Sequence, residues 1–152
     1  MGSVLQLALR PTGMFLAPGT VLVLVGAIGH IAMFSWRPIL PGVLTPLILI
    51  GGGGILLLFS LTHYLVATLS AFQMSRVFAA MTLAASLAGM GFYFASARAM
   101  EAYLNSSAST ADTAVPHMIR SELCGVVALT AFVVNVVVTL RKRRSVAGVS
   151  PS

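Results

Sequence analysis

PILPGVLTPLILIGGGGILLLFSLTHYLVATLSAFQMS, Pro38 to Ser75, is a run of 38 residues without a charged side chain. An α-helix needs about 20 apolar residues to cross the hydrocarbon core of a bilayer. The run exceeds one span, yet it is too short for two spans and a turn. It predicts a single membrane helix near 44–69. Outward from it, charge-free windows recur at 11–36, 77–97 and 123–140, which predict further spans near 14–35, 77–97 and 121–140.

Lipid as solvent then sets the secondary structure. A lone strand in hydrocarbon leaves backbone donors and acceptors unpaired at several kcal/mol each, and the short alternating segments of a closed barrel are missing. The predicted fold class is therefore all-α, an integral membrane four-helix transmembrane bundle. Composition agrees: 58% of residues are hydrophobic and 8% charged, against about 25% charged in soluble domains. A segment 1–13 precedes the four-span domain 14–140, an outer loop open to a helical extension through 99–104 fills 98–120, and a basic tail, expected to be disordered, occupies 141–152.

The first apolar run is longer than the core of a removable signal peptide, so it reads as an uncleaved span. Gln6 stands where a myristoylation signal needs Ser or Thr. The one cysteine, Cys124, excludes a disulfide-stapled ectodomain.

An even number of spans puts both termini on one side, and positive charge selects the cytoplasmic one. With cytoplasmic termini, Arg10, Arg76, Arg141, Lys142, Arg143 and Arg144 lie inside, against Arg37, Arg98 and Arg120 outside. Glu101, Asp112 and Glu122 then belong to the outer loop or its border, as does Asn105-Ser106-Ser107, a glycosylation sequon. The +6 net charge thus reflects membrane orientation and contact of the tail with anionic lipid, not nucleic acid. A plasma-membrane or endomembrane location fits the sequon better than the mitochondrial inner membrane.

Few side chains invite chemistry. Gly51, Gly52, Gly53 and Gly54 fall in mid-span, where each costs about 1 kcal/mol of helix propensity relative to Ala. They predict either close approach of another helix or a broken helix lining a path. Ala80, Ala84 and Ala88 form a small-residue ridge on the third span, with Ala85 and Gly89 beside it, suited to packing within the bundle or against a partner. Histidines on neighbouring spans suggest haem, but His30 and His63 differ in expected depth by roughly 13–15 Å, too much for one iron. Ser121-Glu122 reads as the capped start of the fourth helix. Glu122, His63 and Asn135 are the polar residues available to an intramembrane site, and Asn135 is the amide placed deep in a span, suited to bonding across helices.

In topology alone the chain resembles the MARVEL-type four-span proteins, with inner termini and a short first loop. The mid-membrane carboxylate of proteolipid ring subunits, the extracellular cysteines of tetraspanins and claudins, and the Arg, Asn and Glu set of membrane glutathione transferases are all missing. No cofactor, metal set or nucleophile with its base is expected. The functional expectation is a non-enzymatic membrane protein acting by helix association, with other membrane proteins or with itself, as an accessory subunit or organiser. The alternative is a small transporter or channel with a glycine-broken second span.

Overall fold

The computed structural model describes residues 10–35, 40–70, 72, 74–105 and 111–147. They form four α-helices: α1 (Pro11–Ser35), α2 (Leu40–Ser70), α3 (Arg76–Asn105) and α4 (Ala111–Ala147). Each contains a stretch long and apolar enough to cross a membrane, namely Pro11–Ala32, Thr45–Ser70, Arg76–Met100 and Ala114–Lys142. The outer surface is correspondingly apolar, with Ile28, Leu69 and Val126 each more than 60% exposed. That surface is intelligible only against lipid.

The helices outrun the expected spans. α3 continues to Asn105, in keeping with an extension through 99–104, but α4 begins at Ala111 and runs to Ala147, so most of the segment 98–120, expected as an outer loop, and 141–147 of the tail, expected to be disordered, are helical. Two causes act together. Ala99, Ala102, Ala111 and Ala114 are strong helix formers, and Ser96 Oγ donates to the Ala114 carbonyl at 3.1 Å, which keeps the two helices zipped beyond the predicted border. Pro116 lies in the second turn of α4, where its missing amide forfeits a single helix bond. At 1.5 Å per residue α4 is about 55 Å long, well beyond a hydrocarbon core of about 30 Å.

Two antiparallel hairpins make up the bundle, α1 with α2 and α3 with α4. Both connections lie at the far end, and the opposite, basic end carries Arg10, Arg76, Arg141 and Lys142. One register runs through each hairpin. In the first, Ser60 Oγ donates to the Thr12 carbonyl at 2.9 Å. A Cβ on Gly53 would lie 2.8 Å from the Gly19 carbonyl oxygen, and one on Gly26 would lie 2.8 Å from the Pro46 carbonyl oxygen. Thr12, Gly19 and Gly26 therefore face Ser60, Gly53 and Pro46, each set spaced by seven residues.

The second hairpin repeats the device. Ser75, Gly89 and Ser96 meet Asn135, Ser121 and Ala114, and Thr82 and Ala128 are both buried at the intervening position. A period of seven keeps one face toward the partner with a slight left-handed coil. Small residues on that face bring the backbones together, and close contact of this kind is what joins helices in lipid.

Between the hairpins packing is sparser and concentrates toward the basic end. Phe15, Leu56 and Ala79 are fully buried there, with Met14, Leu22, Phe59 and Leu83 against them. Phe15 meets Phe59 edge-on at 5.8 Å, and Phe59 stacks on Phe132 at 4.5 Å, geometries favoured by the ring quadrupoles.

Candidate functional site

Three surfaces remain after the helices have satisfied one another: a cleft between the hairpins, a polar cavity at the basic end, and the outward face of α3. The cleft holds about 420 Å³. Its walls are Gly51, Gly52 and Ile55 of α2, Met90 and Tyr93 of α3, and Gly125 of α4. Glycine makes it a cleft, because a side chain on α2 or α4 would fill the space.

The four consecutive glycines thus have three kinds of surroundings. A Cβ on Gly51 or Gly54 would meet nothing within 4 Å, one on Gly52 would collide with the Met90 thioether, and one on Gly53 would strike the backbone of α1. The helix runs unbroken through all four, which corrects the alternative of a glycine-broken span: the i to i−4 bonds need no side chain, and α1 packs against the stretch at Gly53.

Of the polar residues expected near one intramembrane site, Glu122 and Asn135 are set apart along α4. Glu122 is exposed and one residue from Ser121, whose hydroxyl donates to the Gly89 carbonyl at 2.9 Å. Ser121 is therefore a bridge between helices and not the cap of α4, which starts at Ala111. Asn135 is thirteen residues further along α4, about 20 Å at helical rise. It is 1% exposed and embraces the start of α3. The Ser75 amide donates to Asn135 Oδ1 at 2.9 Å, and Asn135 Nδ2 donates to the Ser75 carbonyl at 3.0 Å. That amide is level with the first residue of α3, nearer the basic end than the middle of the bundle, because α4 overshoots α3.

His63 is 1% exposed. Its ring lies 4.8 Å from Phe15 and 5.3 Å from Phe132. Its Nδ1 donates to the Phe59 carbonyl at 2.7 Å, since a carbonyl can only accept, and Nε2 is buried without a hydrogen-bond partner. A second cavity, of about 340 Å³, opens beside it, lined by Arg10, Thr12, His63, Tyr64, Thr68 and Phe72 among others. Nothing in the sequence signalled this cavity, because its walls come from the start of α1, the end of α2 and the following turn.

Ala80, Ala84 and Ala88 are all exposed. The face that α3 turns inward carries Ala79, Thr82, Ser86 and Gly89, all buried or half-buried. The predicted ridge exists, and it points away from the bundle. Arg141 and Lys142 are exposed on the penultimate turns of α4. Arg143 and Arg144 continue that helix and Asn105 ends α3, but the side chains of these three, and Ser106-Ser107 of the sequon, lie outside the described residues.

At the far end His117 stacks on Phe92 at 6.3 Å, and the Arg120 guanidinium lies over the same Phe92 ring, 5.9 Å from its centroid. Cys124 is a half-buried free thiol with its Cβ against Gly89. Among the described residues no three of His, Cys, Asp and Glu gather as metal ligands. No protein-family model, curated protein or solved structure matches the chain.

Proposed function

We propose that the protein acts by helix–helix association in the bilayer, as a small non-enzymatic accessory subunit or membrane organiser. The supporting observation is the contrast between outward faces. α1 shows lipid Val21, Leu24, Val25 and Ile28, and α2 shows it Leu58, Leu61 and Leu65. The outward face of α3 instead carries Ala80, Ala84, Ala88 and Gly91, with Val77, Met81 and Leu87 as the larger side chains beside them. In lipid, a flat strip of small residues lets another helix approach closely, whereas large aliphatic residues already meet acyl chains well. The termini face the cytoplasm in this reading, with the tail Arg141 to Arg144 against anionic lipid, in a plasma or internal membrane.

Ala84→Leu in the full chain, extracted in mild detergent from its native membrane, tests it. Native electrophoresis with mass spectrometry should show a larger complex for the unaltered chain and its loss in the variant, with the helical content of the four-helix unit unchanged. Equal complexes from both chains would remove the basis for association through this face. Ala79→Leu is the contrasting control, since Ala79 is fully buried and its enlargement disturbs the bundle itself. Transport, the alternative, has lost the helix break that suggested it.

A further inference from the structure

The cavity at the basic end combines three features that suit one kind of ligand. Arg10 is among its lining residues, and its guanidinium can bind oxyanions by charge-assisted hydrogen bonds. The N-terminus of α1 also lines it, through Pro11 and Thr12. The first helix bond there runs from the Met14 amide to the Arg10 carbonyl at 3.0 Å, so the amides of Thr12 and Gly13 sit at the positive end of a 25-residue helix. Third, His63 presents a buried nitrogen without a partner. Its two ring nitrogens point away from each other. With Nδ1 committed to the Phe59 carbonyl one turn back toward the far end, Nε2 lies on the side of the ring toward the basic end, closed to water in the free protein, and His63 is one of the residues lining the cavity.

In the neutral ring whose Nδ1 carries the proton, Nε2 is a lone-pair acceptor. Burying it unpaired is costly, and a hydroxyl is the group that answers it. An oxyanion alone satisfies Arg10 and the helix end but not His63, and a neutral alcohol does the reverse. All three acids of the sequence lie on the last part of α3 or the first part of α4, at the opposite end, so none competes for Arg10 there.

We propose that this cavity binds a phosphate-type head group that carries an O–H. The oxyanion lies against Arg10 and the start of α1, and the hydroxyl donates to His63 Nε2. The phosphoglycerol of a lipid has this chemistry, and so does free monobasic phosphate. The cavity opens where the apolar span of α1 begins and that of α2 ends, the depth at which lipid head groups sit.

The test uses the full chain in detergent, titrated with dioleoyl phosphatidylglycerol, dioleoyl phosphatidylmethanol, dioleoyl phosphatidylcholine and inorganic phosphate. Retained ligand is read by native mass spectrometry, and His63 by ¹⁵N resonances of histidine-labelled protein. Phosphatidylmethanol has the charge of phosphatidylglycerol but no hydroxyl. It should bind about fivefold more weakly, the ratio that one hydrogen bond supplies, and leave the Nε2 resonance in place, while phosphatidylglycerol moves it. Arg10→Gln should weaken phosphatidylglycerol by about tenfold or more. His63→Phe keeps a ring against Phe15 and Phe132 and should erase the preference between the two anionic lipids. Displacement of the lipid by inorganic phosphate, with the same Nε2 shift, would identify free phosphate as a ligand of the same site. Equal binding of phosphatidylglycerol and phosphatidylmethanol with no movement of Nε2 would overturn the proposal, even if His63→Phe failed to fold. So would undiminished binding by Arg10→Gln.

Discussion

Alanine placed in turn at Gly51, Gly53 and Gly54 should separate helix propensity from helix contact within one tetrapeptide. Each change adds the same methyl to the same helix and gains the same propensity, up to about 1 kcal/mol. The surroundings differ. The new Cβ meets nothing within 4 Å at Gly51 and Gly54, but at Gly53 it would lie 2.8 Å from the Gly19 carbonyl oxygen and 2.9 Å from the Val23 amide nitrogen. Both are backbone atoms that no rotamer change can remove. Since ordinary contact begins at 3.4 Å, α1 and α2 must part by more than half an ångström locally, and overpacking of that kind costs about 1–3 kcal/mol. Propensity cancels in the comparison, so Gly53→Ala should be about 2 kcal/mol less stable than Gly51→Ala, about thirtyfold in the unfolding equilibrium. Gly54→Ala should match Gly51→Ala. Reversible unfolding in mixed micelles with SDS, followed by far-ultraviolet circular dichroism, measures the difference. If Gly53→Ala lies within about 0.5 kcal/mol of Gly51→Ala, roughly the variation expected of surface changes, the tight α1–α2 crossing is wrong.

Asn135→Ala removes both hydrogen bonds to Ser75 and should cost about 1–3 kcal/mol. Thr62→Ala, which deletes a bond to its own helix at the Leu58 carbonyl, should cost under about 0.5 kcal/mol. Parity in the same unfolding assay would contradict the bridging role. With Cys124→Ser as background, Ser150→Cys should react with a membrane-impermeant maleimide only after cells are permeabilised. Labelling of intact cells would reverse the proposed orientation.

The existence of four helices was legible because the solvent requirement is severe: over any charge-free window such as 38–75, backbone polar groups have no outlet but the helix itself. Helix ends were less legible, because the seam from Ser96 to Ala114 lengthens α3 and α4 past the border that hydropathy marks. The choice of face on α3 was least legible. Alanines at 80, 84 and 88 draw attention as a ridge, but the residues that join α3 to α4 are Ser75, Thr82, Gly89 and Ser96, of mixed type and spaced by seven. At about 100° per residue a step of four drifts by about 40°, and a step of seven by only about 20°. A contact maintained over three full steps of seven must follow the slower drift. The same seven-residue spacing of small residues was present in Thr12, Gly19 and Gly26, and in Pro46, Gly53 and Ser60. His63 and its cavity left no such trace, since Arg10 and Phe72 approach it only through the folding of three separate segments.

The drift that disqualifies the alanine ridge from the long internal seam also fixes how a partner would use it. Rows spaced by four residues are inclined to the helix axis, and helices that meet along them cross steeply, at about −40° to −50°. Two such helices diverge within a few turns, so contact centres on a short length, and Ala80 to Ala88 spans about 12 Å at helical rise. Ala84 is then at the crossing point and its neighbours are at the rim. Leucine at Ala84 should dissociate the complex most completely, leucine at Ala80 or Ala88 only partly, and leucine at Leu87's outward neighbour Gly91 least. Native mass spectrometry of the four variants at matched detergent concentration gives the order directly. A partner lying alongside the whole of α3 would instead be equally sensitive at all four positions, and that outcome would rule out a crossing on the four-residue ridge.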